Sequence, residues 1–141
     1  MKACVLKILE SEFSICHLDN RNEIPQWLKT AKIFSVTRTK DELSVVCPTS
    51  LVPTGVESSS GWSCIEVKGP LSFDQVGILA SIASPLARAG ISIFVISTYL
   101  TDYILVRKKQ LKAAISTLKQ AGHTVVSLRK VTISDSEDTS G

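Results

Sequence analysis

Between residues 69 and 106 the spacing of apolar positions changes twice. Val76, Leu79, Ile82, Ala83 and Leu86 recur at intervals of three and four, the repeat of one helix face. Residues 91–96 (ISIFVI) are nearly all apolar and β-branched, the mark of a buried strand. Residues 101–106 form the next strand, and the four residues from Thr98 to Thr101 are few enough for a hairpin turn. Gly69 and Pro70 break the chain ahead of the helix, and Ser72 or Asp74 is expected to cap it. Gly90 closes it, where glycine takes a left-handed backbone at little cost. Pro85 interrupts the pattern. It has no N–H to give the carbonyl of Ser81, which predicts a kink or an offset last turn.

The flanking sequence extends the reading. Residues 2–9 and 13–18 alternate and predict a first hairpin, turned at Glu10, Ser11 and Glu12. A polar loop at 19–22 leads to a short helix over 25–30, opened by Pro25 and anchored by Trp27 and Leu28. Residues 33–38 and 43–47 predict a second hairpin, ended by Pro48. Residues 49–61 are rich in Ser, Thr, Gly and Pro and suggest a boundary. A strand at 62–67 precedes the central stretch. After it, Leu111, Ala114, Ile115, Leu118 and Ala121 mark a second helix, Gly122 closes that helix, and 124–128 is a final strand. Residues 134–141 lack apolar side chains and predict a disordered tail.

From residue 62 the order is therefore β-α-β-β-α-β. Right-handed crossovers turn that order into an antiparallel sheet with both helices on one face, an α+β ferredoxin-like fold. The first half looks like a weaker version of the same unit. The expected domains are 1–60, 61–133 and the tail 134–141.

Composition narrows the chemistry. With 44% hydrophobic and 21% charged residues, the 141-residue chain has an ordinary globular balance. No apolar run approaches the roughly 20 residues a membrane helix needs, and the N-terminus does not read as a signal peptide, so the expectation is a cytoplasmic protein with no membrane partner. The net charge of +3 is scattered, and its one run, Arg107 to Lys109, has no interleaved aromatics, so no nucleic-acid partner is expected. Cys4, Cys16, Cys47 and Cys64 have no metal-ligand spacing and read as buried thiols. His17 and His123 stand singly in or beside strands and read as structural. Thr98, Thr101 and Asp102 read as turn residues bonding the local backbone. Trp27 and Trp62 read as core or interface residues, and Tyr99 and Tyr103 share a parity on the hairpin. No phosphate loop, metal set or nucleophile–base pair appears, so neither an enzyme nor a cofactor is expected.

The stretch GPLSFDQVGILASIASPLARAGISIFVISTYLTDYILV, followed by an amphipathic helix and a closing strand, resembles tandem ACT domains. Residues 96–106 carry the likeness most specifically, and Phe34 to Thr39 with Asp41 and Glu42 add to it. The chain is similar to a small double-ACT group that includes the CASTOR arginine sensors and bacterial ACT-domain amino-acid-binding proteins. That resemblance implies a non-catalytic sensor, a homodimer with a regulated protein partner, and an amino-acid ligand held at an interface between ACT units. It places the ligand against Phe73, Asp74, Gln75, Val76, Gly77 and Ile78 on one side and Ile91, Ser92, Ile93 and Phe94 on the other. Physical chemistry fits: a helix start attracts a carboxylate, Asp74 can accept from an ammonium, and Gly77 lets a ligand near the backbone. The same residues also have a purely structural reading, Asp74 as a cap and Gly77 as a packing residue. The alternative function is an ACT-fold interaction module with no ligand. Two features depart from the family: Lys108 and Lys109 precede the second helix, and this chain has a single copy of the double unit.

Overall fold

Alternate residues of the apolar strands enter one core. Leu6 and Ile8, Ile65 and Val67, and Ile104 and Val106 are each fully or nearly fully buried, and all lie in one cluster with Ile78, Ile82, Leu86, Ala114, Ile115 and Leu118. This period-two pattern against a period-3.6 pattern is a sheet face covered by helices. Burying a side chain of this kind contributes about 1.5–3 kcal/mol, so the cluster is the main stabilising feature here.

The computed structural model describes residues 3–68 and 76–127. The chain divides into two compact units, a helical unit of residues 1–10 and 63–141 and a small β unit of residues 11–62. The described elements are β1 (Val5–Leu18), β2 (Ser35–Arg38), β3 (Leu43–Pro48), β4 (Ser58–Val67), α1 (Ile78–Arg88), β5 (Ile93–Ser97), β6 (Asp102–Arg107), α2 (Leu111–Gln120) and β7 (Thr124–Ser127).

In the helical unit the strand order is β7-β1-β4-β6-β5. The β-α-β-β-α-β succession from β4 onward is as expected. The sheet adds β1 between β4 and β7, with β1 parallel to β7 from Val5↔Thr124 to Ile8↔Ser127. β5 and β6 form the expected antiparallel hairpin, from Ile93↔Val106 to Ser97↔Asp102. Both helices end alike. Gly90 has φ +75° and Gly122 φ +99°. The N–H groups of Gly90 and Ile91 bond the carbonyls of Ala87 and Leu86, and those of Gly122 and His123 bond Lys119 and Leu118. Each pair is the bonding of a Schellman turn, which satisfies the last carbonyls of the helix.

The small β unit has the strand order β2-β3-β1-β4. β1 and β3 pair antiparallel from Phe13↔Pro48 to Leu18↔Leu43, and β2 and β3 from Ser35↔Val46 to Arg38↔Leu43. Cys16, Leu28, Val45 and Cys47 are its core, with Trp27 packed against them.

Three local expectations are corrected. The predicted first hairpin is one continuous strand, because its first residues pair with β7 and its last with β3, far along the chain. The short helix at 25–30 shrinks to a 3-10 turn, Gln26–Leu28, too short for an α-helical repeat. α1 opens at Ile78 with Gly77 at its N-cap, so Ser72 and Asp74 precede the cap by several residues. Gly77 has φ +85°, outside helical space, and the backbone turns into the helix there. Val76, expected on the buried face, is consequently 80% exposed, and Ile78 takes the core position. Gly69, Pro70, Ser72, Phe73, Asp74, Gln75, Leu128 and the tail 134–141 lie outside the described residues.

Candidate functional site

One face of α1 carries an open depression of about 490 Å³ that runs from the helix start to its last residue, lined by Val76, Gly77, Ala80, Ser81, Ser84, Pro85 and Arg88. Its floor is low because of side-chain size. Gly77, Ala80, Ser81 and Ser84 follow the helix repeat and leave the backbone near the surface. A Cβ placed on Gly77 would meet nothing within 4 Å, so its positive φ, rather than crowding, is what requires glycine. The first bond of the helix ladder runs from Ser81 N–H to Gly77 C=O, 2.9 Å. The N–H groups ahead of it point out of the helix start with no intrahelical acceptor, which is what gives such ends their affinity for anions.

Of the ten residues expected at a ligand site, Phe73, Asp74 and Gln75 lie outside the described residues. Val76 and Gly77 are exposed at the rim of the depression. The side chains of Ile78 and Ile91 are in the core, together with the half-buried Ile93. Those residues have backbone rather than side chain to offer a ligand. Ser92 is exposed. Phe94 alternates with the core-facing Ile93 and Val95, so it belongs to the sheet face away from the helices.

One feature here was not foreseen. His123 is 4% exposed, and both ring nitrogens are engaged. Nδ1 accepts from Cys4 N–H at 3.0 Å. Nε2 stands 2.9 Å from Ser81 C=O, so it carries the proton and donates. That carbonyl is the one Pro85 leaves without its helical partner. The sequence signalled the vacancy at Ser81 but not what fills it, because the donor lies 42 residues away. Ser81 also donates its hydroxyl to Ile78 C=O at 2.6 Å.

At the tip of the β5–β6 hairpin the polar residues serve the turn. Thr98 N–H and Oγ1 both bond Thr101 C=O, and Ser97 Oγ donates to Asp102 Oδ1 at 2.6 Å. Buried Thr101 donates its hydroxyl to Val67 C=O at 2.6 Å, fastening the turn to the end of β4. Tyr99, 78% exposed, and Leu100 stand out from this tip. Tyr103 pairs opposite Ile96 and does not share the exposure of Tyr99. Burial, then the neighbouring Glu66 carboxylate, raises the Tyr103 phenol above its ordinary value.

The thiols are electrostatically quiet. Burial, followed by the Cys16 thiol, pushes Cys47 up to about 12. Burial, followed by Glu66, pushes Cys64 to about 12. Burial also raises Cys16 and Cys4, the latter partly offset by a hydrogen bond with Ser81. No group of three or more His, Cys, Asp and Glu side chains gathers among the described residues. No described helix is long and apolar enough to cross a membrane.

Both helices on one face of the sheet, and the β-α-β-β-α-β succession, define an α+β ferredoxin-like domain. An ACT-domain family model matches residues 57–120, and a separate model of an N-terminal domain matches 11–55. A crystallised protein of Agobacterium tumefaciens is 40% identical with a TM-score of 0.85, the match covering 90% of this chain and 95% of that one. The cytosolic arginine sensor for mTORC1 subunit 1 of Homo sapiens is 44% identical over 66 residues, 45% of this chain and 20% of that protein. This chain thus matches only about a fifth of the length of that curated relative. The regulatory subunit of aspartate kinase from Thermus thermophilus shares the fold, with 11% identity, a TM-score of 0.62, and 86% and 99% of the two chains covered. Residues 57–120 of the chain belong to the ACT-domain family.

Proposed function

We propose that this protein is a non-catalytic regulatory module that binds an α-amino acid at the start of α1 and acts as a cytoplasmic homodimer. The observation that carries the reading is the ACT match over residues 57–120, which includes a helix start with open space above Gly77. In this reading the ligand carboxylate meets the N–H groups of the first turn of α1. The dipole contributes roughly 0.3–1 kcal/mol there, and direct hydrogen bonds add to it. Asp74 accepts from the ammonium, Phe73, Gln75 and Val76 flank it, and Gly77 and Ile78 supply backbone. The opposite wall is the segment of Ile91, Ser92, Ile93 and Phe94 brought by a second copy of the chain, with Ile91 and Ile93 contributing backbone. Allosteric control of a partner protein follows from a ligand that stabilises one arrangement of such a dimer.

A thermal-shift assay against each of the twenty amino acids at millimolar concentration tests this. A ligand at 100 times its Kd stabilises by about 2.7 kcal/mol, and a selective rise in midpoint of several degrees is expected. Asp74→Ala removes the rise. Twenty superimposed curves would overturn the reading. The alternative, an ACT-fold interaction module without a ligand, draws on the exposure of Val76, Tyr99 and Leu100. It expects a dimer or a complex and no response to any amino acid.

A further inference from the structure

We propose that His123 is a positioning residue that fixes the first turn of α1 to the start of β1 and so sets the geometry of the depression at Gly77. In an α-helix the carbonyl of residue 81 takes the N–H of residue 85, and Pro85 has none. A buried carbonyl left without a donor is costly, and His123 Nε2–H supplies one. The ring is held from its other side by Cys4 N–H. Cys4 is itself held twice, since its carbonyl takes Thr124 N–H at 2.9 Å. His123 has little freedom of its own, because its N–H closes the Schellman turn of α2 on Leu118 C=O. On the α1 side, Ser81 is tied to Gly77 through its N–H and to Ile78 through its hydroxyl. A continuous chain of hydrogen bonds therefore runs from Gly77 through Ser81 and His123 to Cys4, and Ser81 lines the depression. The consequence for ligand affinity rests on the amino-acid reading above. The consequence for the position of α1 does not.

The first test needs no substitution and no ligand. A long-range ¹H–¹⁵N spectrum of the whole chain should show the His123 proton on Nε2 and a bare Nδ1. A proton on Nδ1 overturns the proposal. The second test is residue-resolved amide exchange without amino acids. His123→Leu should accelerate exchange at the Cys4 and Ser81 amides at least tenfold more than at the Ile104 amide of β6. His123→Gln should recover most of that protection, because its amide oxygen and nitrogen can reproduce the accept-and-donate pair. Adding Pro85→Ala to His123→Leu should recover protection in the first turn of α1, where it returns the missing donor, but not at Cys4. Equal acceleration at every amide, with no recovery in either rescue, would reduce His123 to an ordinary core residue and overturn the proposal. If His123→Leu does not fold, His123→Gln and the spectrum still decide. A millimolar mixture of the twenty amino acids is then added to wild type and His123→Gln. A silent wild type refutes the sensor reading and leaves the exchange result standing.

Discussion

Replacing Thr101 with valine removes one hydroxyl and tests whether the hairpin tip is fastened where its hydrogen bonds indicate. Thr101 is 7% exposed, and its Oγ1–H reaches Val67 C=O at 2.6 Å. Depriving a buried acceptor of its donor costs about 1–3 kcal/mol. The extra methyl gives back about 0.8 kcal/mol if it is fully buried. The expected net loss is about 1 kcal/mol, a factor of roughly five in an opening equilibrium. The loss is confined to one hairpin, so the assay is amide exchange read residue by residue. The Thr98 amide, bonded to Thr101 C=O at 2.8 Å, is the local reporter. It should lose about fivefold protection together with the β5–β6 ladder. The His17 amide, bonded to Glu57 C=O within the small β unit, should not change. Unchanged protection at Thr98, or an equal loss at His17, would refute the argument that this bond holds the hairpin.

Two further outcomes are expected. At pH 8 iodoacetamide should modify native protein slowly and at the half-buried Cys4 first, then all four cysteines after unfolding in urea, read by mass spectrometry. Thiolates are the reactive form, and Cys47 and Cys64 are pushed to about 12, so rapid native labelling of either would contradict their environment. His17 donates from Nδ1 to Glu42 Oε1 at 3.1 Å, which raises its pKa above the ordinary 6.5. The small stabilisation from this exposed pair is fully present below 6.5 and disappears as pH rises through the raised value. An NMR titration should show a midpoint above 6.5 that Glu42→Gln lowers, and an unmoved midpoint would deny the contact its role.

Periodicity made the helical unit legible. The spacing from Leu111 to Leu118 placed α2, the apolar run at 91–96 placed β5, and Gly90 and Gly122, both with positive φ, marked the two helix ends. Local signals failed where the decision was non-local. The segment at Glu10, Ser11 and Glu12 looked free to turn, yet it is extended because β1 finds partners far along the chain. Val76 fitted the helical repeat by spacing alone, while the neighbouring Gly77 put the helix start two residues beyond it. Pro85 announced an unmet carbonyl, and nothing nearby in sequence could name His123 as its donor. At the proposed site, chemistry was read from residue types, but burial decided that Ile78 and Ile91 face the core. Burial depends on tertiary packing that spacing does not encode.

The place of β1 in the helical unit constrains how that unit is assembled. One border of its first residues closes on β4, where Lys68 N–H meets Val5 C=O. The other border meets β7, and the contact from Cys4 to His123 spans 119 residues. A ribosome delivers these strands in sequence, so β1 leaves the exit tunnel with one edge open until β7 follows. Closing so long an interval costs chain entropy before the contact contributes anything, and pairings of this kind slow folding. An open strand edge is also where foreign strands add. A fragment cut to the boundaries of the ACT match would lack both β1 and β7, and would leave the β1 side of β4 without its neighbour. For this fold the piece that can be cut out and studied alone is therefore larger than the stretch that carries the family's signature.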